Sequence, residues 1–161
     1  MSFQGLTVKF EVIVIFAGFV AGHILYLLSV IQIQCSLQTL TKYFIFFREI
    51  LAHYIKYPEV FSKYLLFAIF EEIVWRYAVQ SYLLHLLENP LVAVILTAIL
   101  FTLDHYSSFL HRNTGCVAEF LIFSIILGIT FYASGDFLLV IFIHLVRNCN
   151  IVFYRQLFGE S

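Results

Sequence analysis

The sequence predicts an all-α integral membrane protein, a bundle of about five transmembrane helices plus one interfacial amphipathic helix, as a single transmembrane domain over 1–161. Two observations carry this. Of the 161 residues, 62% are hydrophobic and 12% charged, with a mean hydropathy of +0.96. Soluble domains carry about 25% charged residues, so half that share points to lipid as the solvent. Apolar runs of about 20 residues also recur between turn signals, the length that crosses a hydrocarbon core about 30 Å thick. The lipid bilayer is the expected partner. A net charge of −1 gives no case for a nucleic-acid partner.

The first span is expected over 10–33. Its apolar run, Phe10 to Ile33, exceeds the core of a cleaved signal peptide (about 7–15 residues), and no small-residue cleavage site follows. It reads as a retained anchor. Gly18 and Gly22 make a GxxxG spacing, which allows close helix approach but needs no more than ordinary packing. Residues 34–58 differ: Lys42, Arg48, Glu49, His53 and Lys56 interrupt the aromatic run from Tyr43 to Phe47. That pattern places the segment in the interface, ended by Pro58.

The second span runs from 60 to 87 and stops at Glu88-Asn89-Pro90. The third covers 91–110, up to the polar stretch from His111 to Gly115. The fourth covers 116–133 and turns at Ser134-Gly135-Asp136; the fifth covers 137–158. Lys42, Arg48, Lys56 and Lys63 lie between the first two spans, and with five spans Arg112 and Arg155 share their side; Lys9 alone opposes them. The positive-inside rule then puts the N-terminus outside and the C-terminus in the cytoplasm. The three cysteines, Cys35, Cys116 and Cys149, form no CxxC pair and read as packing residues.

A charge at bilayer depth costs at least a few kcal/mol, so an intramembrane ionisable group is a functional candidate. The second span carries Glu71, Glu72 and Arg76, the third Asp104 and His105, the fifth His144, Arg147 and Asn148. Helix geometry sorts them. Glu72 and Arg76, four apart, stack on one face and can pair. Glu71 is turned about 100° away and stays available. Burial disfavours an ionised carboxylate, which brings it toward the range of a general base. Phe101 and His105 share a face, so the Phe can pack against the imidazole. His144 and Asn148 also share one, offering two donors in one direction, as oxyanion stabilisation requires. At 1.5 Å per residue Glu71 lies about 16 Å deep from one side and His144 about 11 Å from the other, so their levels nearly meet.

These constellations, in this order, resemble the CPBP family of intramembrane glutamic proteases, the CAAX proteases and bacteriocin-processing (Abi) proteins, whose motifs are EExxxR, FxxxH and HxxxN. The chain supplies Glu71-Glu72-xxx-Arg76, Phe101-xxx-His105 and His144-xxx-Asn148, each on its own predicted span. The Ser-Gly-Asp turn before the last helix is also similar. The resemblance implies a protease core over 60–158, preceded by the anchor and interfacial helices at 1–59. It implies that Glu71 activates a water with help from His105, that His144 and Asn148 stabilise the oxyanion, and that Glu72, Arg76 and Phe101 are structural. It implies no metal and no cofactor, and a protein or peptide substrate entering from the membrane. That substrate is either a prenylated CAAX C-terminus or a bacterial precursor with a leader or C-terminal sorting helix. The compact chain favours the second, in a prokaryotic inner membrane. Tyr77 stands where many members have Gly after the Arg, and helices that cover the site in longer relatives are missing.

Other readings compete. A non-catalytic membrane partner, such as a bacteriocin immunity protein, could use the same scaffold. A proton-carrying transporter is disfavoured by the lack of an inverted repeat. HExxH is absent and no Glu or Asp stands three residues before any of the six His, which leaves only Glu71, His105 and His144 as a conceivable zinc set. His23, His53, His85 and His111 read as structural, Asp104 and Arg147 as pairing groups beside the motifs, and Glu119 as a residue near the cytoplasmic interface.

Overall fold

The computed structural model describes the backbone of residues 3–34, 37–105 and 114–158, and side chains within 11–29, 41–105 and 117–157. Segment 106–113, where the third span is expected to end and where His111 and Arg112 fall, lies outside the described residues. So do the side chains of Lys9, Cys35 and Cys116.

Turn chemistry sets the path of the chain. Glu88 takes a left-handed conformation (φ 52°) and Asn89 caps the next helix, its Oδ1 accepting from the backbone N–H of Leu91 and Val92 at 3.1 and 3.2 Å, with Pro90 at the first helical position. Gly135 (φ +62°) makes the second sharp turn, which a side chain would strain, and Asp136 Oδ1 accepts from Leu139 N–H at 3.1 Å to start the last helix. Between these signals run α1 (Phe3–Gln34), α2 (Leu37–Ile45), α3 (Phe47–Lys56), α4 (Pro58–Glu72), a π-helical segment (Ile73–Gln80), α5 (Ser81–Leu87), α6 (Pro90–Asp104), α7 (Thr114–Ser134) and α8 (Phe137–Phe158). Every element among the described residues is helical.

Stretches of three helices are long and apolar enough to cross a membrane: Glu11–Ser29, Val117–Ser134 and Phe137–Leu157. The second and third expected spans differ. The second is the run α4–π–α5, whose charges break its apolar character; α6 is apolar but ends its regular helix at Asp104. Polar side chains share the interior with the apolar core, and large apolar side chains cover the surface. Glu72, Arg76, Gln80, His144 and Asn150 are fully or almost fully buried, whereas Ile13, Phe16, Leu66, Phe70, Tyr77, Leu91 and Leu103 are exposed. Such a surface is at home in lipid and costly in water.

α8 is the central helix, packed against α1 and α4 and buried over most of its length. The GxxxG spacing of α1 is where it meets α8: a Cβ at Gly18 would lie 2.7 Å from Phe142 Cβ, and one at Gly22 2.6 Å from Val146 Cβ. Only glycine permits that approach. Cys149 is a buried free thiol in this packing.

The single interfacial helix expected at 34–58 is two short ones bent at Phe46. Backbone bonds from Phe46 N to Lys42 O and from Ile50 N to Phe46 O (both 2.9 Å) continue through the bend. The cause is tertiary. α2 packs on α1 and α3 on α8, and the bend lets Tyr43 and Ile50 enter one buried cluster with Tyr26 of α1 and Tyr154 of α8. A buried polar network fastens this N-terminal part: Tyr43 Oη lies 2.5 Å and Asn150 Nδ2 2.9 Å from His23 Nδ1, and the Tyr54 hydroxyl donates to Asn150 Oδ1 at 2.9 Å. Burial pushes both phenols above the ordinary tyrosine value, which keeps them donors. His23 is buried at the centre of this network.

Candidate active site

The second expected span supplies the centre of the site, and its backbone is not regular there. From Ile73 to Gln80 it follows a π-helix, a form that recurs at functional sites because it re-aims side chains. The carbonyl of Arg76 accepts from the backbone N–H of Ser81 and from its hydroxyl, the latter at 3.2 Å. Glu72, Arg76 and Gln80 all point inward and are fully buried, while Gln80 Nε2 donates to the Gly128 carbonyl of α7 at 2.8 Å. Glu71, next to the buried face, keeps 24% of its side chain exposed.

The structure brings Glu71, His105 and His144 together from α4, the end of α6 and α8. Glu71 Oε1 lies 3.6 Å from His105 Nε2, and Oε2 lies 3.4 Å from His144 Nε2. Both rings are oriented from behind. His105 Nδ1 is 2.9 Å from the Phe101 carbonyl, which can only accept, so that nitrogen carries a proton. His144 Nδ1 is 2.6 Å from Glu72 Oε1 and donates to it. Each imidazole thus turns its Nε2 toward the Glu71 carboxyl.

Glu72 does more than pair with Arg76. Its Oε2 lies 3.1 Å from Arg76 Nε and its Oε1 holds His144, so one buried carboxylate joins α4, the π-segment and α8. Arg76 Nη2 continues to Ser124 Oγ of α7 at 3.1 Å, and its guanidinium stands 5.3 Å from the Phe101 ring centroid. Phe101 is fully buried and edge-on to His105, with centroids 4.5 Å apart. Asn148 lies one turn beyond His144 and is half-buried; its Oδ1 accepts from Arg147 Nη1 at 3.3 Å.

The contacts that the sequence does not announce include the Glu72–His144 bond, the bonds from Arg76 to Ser124 and from Gln80 to Gly128, and a buried ion pair between Glu119 and Arg147, Nη2 lying 2.6 and 2.7 Å from the two carboxylate oxygens. The last had a readable signal, since opposite charges on two apolar spans must find each other in lipid. Asp104, exposed beside His105, has an oxygen 3.9 Å from its Nδ1. A half-open groove of about 320 Å³ between α1 and α7 ends on Ser29 and Glu119 and is lined by none of Glu71, His105, His144 or Asn148.

A protein-family model described as type II CAAX prenyl endopeptidase Rce1-like matches residues 54–150, more than half of the chain and all of the cluster just described. Neither the curated proteins nor the solved structures gave a match.

Proposed function

Because the chain belongs to the Rce1-like family of CAAX proteases, a branch of the CPBP family, we propose that it is a glutamic intramembrane endopeptidase in which Glu71 is the base. The carrying observation is the convergence of one partly exposed carboxyl on two oriented imidazoles. Glu71 takes a proton from a water, with His105 Nε2 sharing it, and the hydroxide adds to the scissile carbonyl. His144 and Asn148 donate to the oxyanion. As the carbon–nitrogen bond breaks, Glu71 returns the proton to the leaving amine. On this reading no metal takes part.

The substrate enters from the membrane, and its class is a protein with a prenylated C-terminus, the class that the family's description names. Purified protein in liposomes should release product from an internally quenched, farnesylated CAAX peptide at a rate that a strong chelator does not change. Folded protein that cleaves neither this peptide nor its unprenylated counterpart would overturn the proposal. Loss of activity on chelation, restored by zinc, would replace the mechanism.

In the membrane the α4–π–α5 run spans as one helix. At 1.5 Å per residue, residues 58–87 extend roughly 45 Å, more than a core of about 30 Å. With α6 as a further crossing the bundle has five spans, the N-terminus outside and the C-terminus in the cytoplasm. The exposed Lys42 and Arg48 of α2 and α3 then face the cytoplasmic surface. A reporter fused to the C-terminus that fluoresces only in a reducing cytoplasm should light up; a dark but fully expressed fusion would reverse the orientation.

A further inference from the structure

A carboxamide serves an oxyanion only if its NH₂, not its oxygen, faces the reacting carbon, so something must fix which way Asn148 points. The group behind it is Arg147. A guanidinium donates and never accepts, so the atom of Asn148 that meets Arg147 Nη1 at 3.3 Å is the oxygen, and the NH₂ is turned away from it. Arg147 is itself locked. It is buried, its Nη2 reaches both oxygens of Glu119, and its Cζ stands 4.2 Å from the Phe123 ring centroid. The ring of Phe123 is edge-on to His144, with centroids 5.4 Å apart. Glu119 in turn accepts from the Ser29 hydroxyl of α1. Since Ser29 precedes the family-matched residues 54–150, the N-terminal helix of this chain completes the line of contacts.

We infer that Arg147, held by Glu119 and Ser29, is a positioning residue that sets the amide of Asn148 with its NH₂ toward the oxyanion. The inference rests on Asn148 being an oxyanion donor, as proposed above. The ion pair neutralises Arg147 in a dry setting, which lets a charged group stand beside the site without adding a net charge to it. A purely structural ion pair between α7 and α8 would use the same Glu119–Arg147 contact but would have no need to touch Asn148.

A double-mutant cycle on the full chain in detergent separates these roles, with the quenched farnesylated CAAX peptide as probe and kcat and KM measured apart. Arg147→Met should lower kcat about 10- to 100-fold, the value of a charge-assisted hydrogen bond, with KM little changed. Asn148→Ala should lower kcat about 100- to 1000-fold. The combined variant should be no slower than Asn148→Ala alone. Where unpaired Glu119 prevents folding, Arg147→Met/Glu119→Gln removes both charges together and carries the same test. An Arg147→Met effect that persists in full in the Asn148→Ala background overturns the inference and leaves a structural ion pair. An Asn148→Ala protein with undiminished kcat overturns the oxyanion reading itself, and the inference with it.

Discussion

Glu71→Gln is expected to lower the cleavage rate about 100- to 10,000-fold while leaving the protein folded, the loss that accompanies removal of a general base. The substitution keeps the shape of the side chain and removes only its ability to take a proton. Glu71 contributes little to packing, since its side chain is 24% exposed and its imidazole contacts, at 3.4 and 3.6 Å, are long for hydrogen bonds. Thermal unfolding in detergent should therefore move little, and the loss should fall on kcat and not on KM. The neighbouring carboxylate cannot substitute. Glu72 is fully buried, one oxygen committed to His144 at 2.6 Å and the other beside Arg76 at 3.1 Å, with no face open to a water and a substrate carbonyl. A folded Glu71→Gln protein that cleaves at the parent rate would remove Glu71 as the base and leave the cluster as scaffolding.

Much of this site is legible in the sequence because its parts are local. The four-residue spacing that puts Glu72 with Arg76 and Phe101 with His105 needs only the pitch of a helix, and both contacts are present. The pairing of Glu72 with Arg76 holds although a π-segment starts between them, at Ile73, because the side chain of Arg76 is long enough to absorb the change in turn. What is not legible depends on which distant helices touch. His144 and Glu72 are separated by 72 positions and Arg147 and Glu119 by 28, so no periodicity relates them. The π-segment itself has no Pro or Gly to announce it. The bend at Phe46 is equally silent, since it goes with a cluster of Tyr43 and Ile50 with Tyr26 and Tyr154, residues distant in sequence. Composition points to the membrane, whereas the α4–π–α5 run, whose inward face carries Glu72, Arg76 and Gln80, is not among the three helical stretches long and apolar enough to cross one.

Glu72 offers the sharpest separation of stability from chemistry. Glu72→Leu strips Arg76 of its counter-charge in a fully buried position, and breaking such a pair from one side costs about 3–5 kcal/mol. The single variant should unfold at a much lower temperature than the parent in detergent, or fail to accumulate. Glu72→Leu/Arg76→Met removes both charges and fills similar volume, so it should recover most of that loss despite surrendering the bond from Arg76 to Ser124. Recovery of the fold should not bring back the chemistry. His144 Nδ1 has lost its acceptor, and the ring is free to turn its Nε2 away from Glu71. Activity of the double variant should stay at least tenfold below the parent, the value of one charge-assisted hydrogen bond. A double variant as unstable as the single one would show that the uncompensated charge is not what breaks the fold. A stable double variant with full activity would make Glu72 a partner of Arg76 alone, and the orientation of His144 would then have to come from its packing against Phe123 and Phe101.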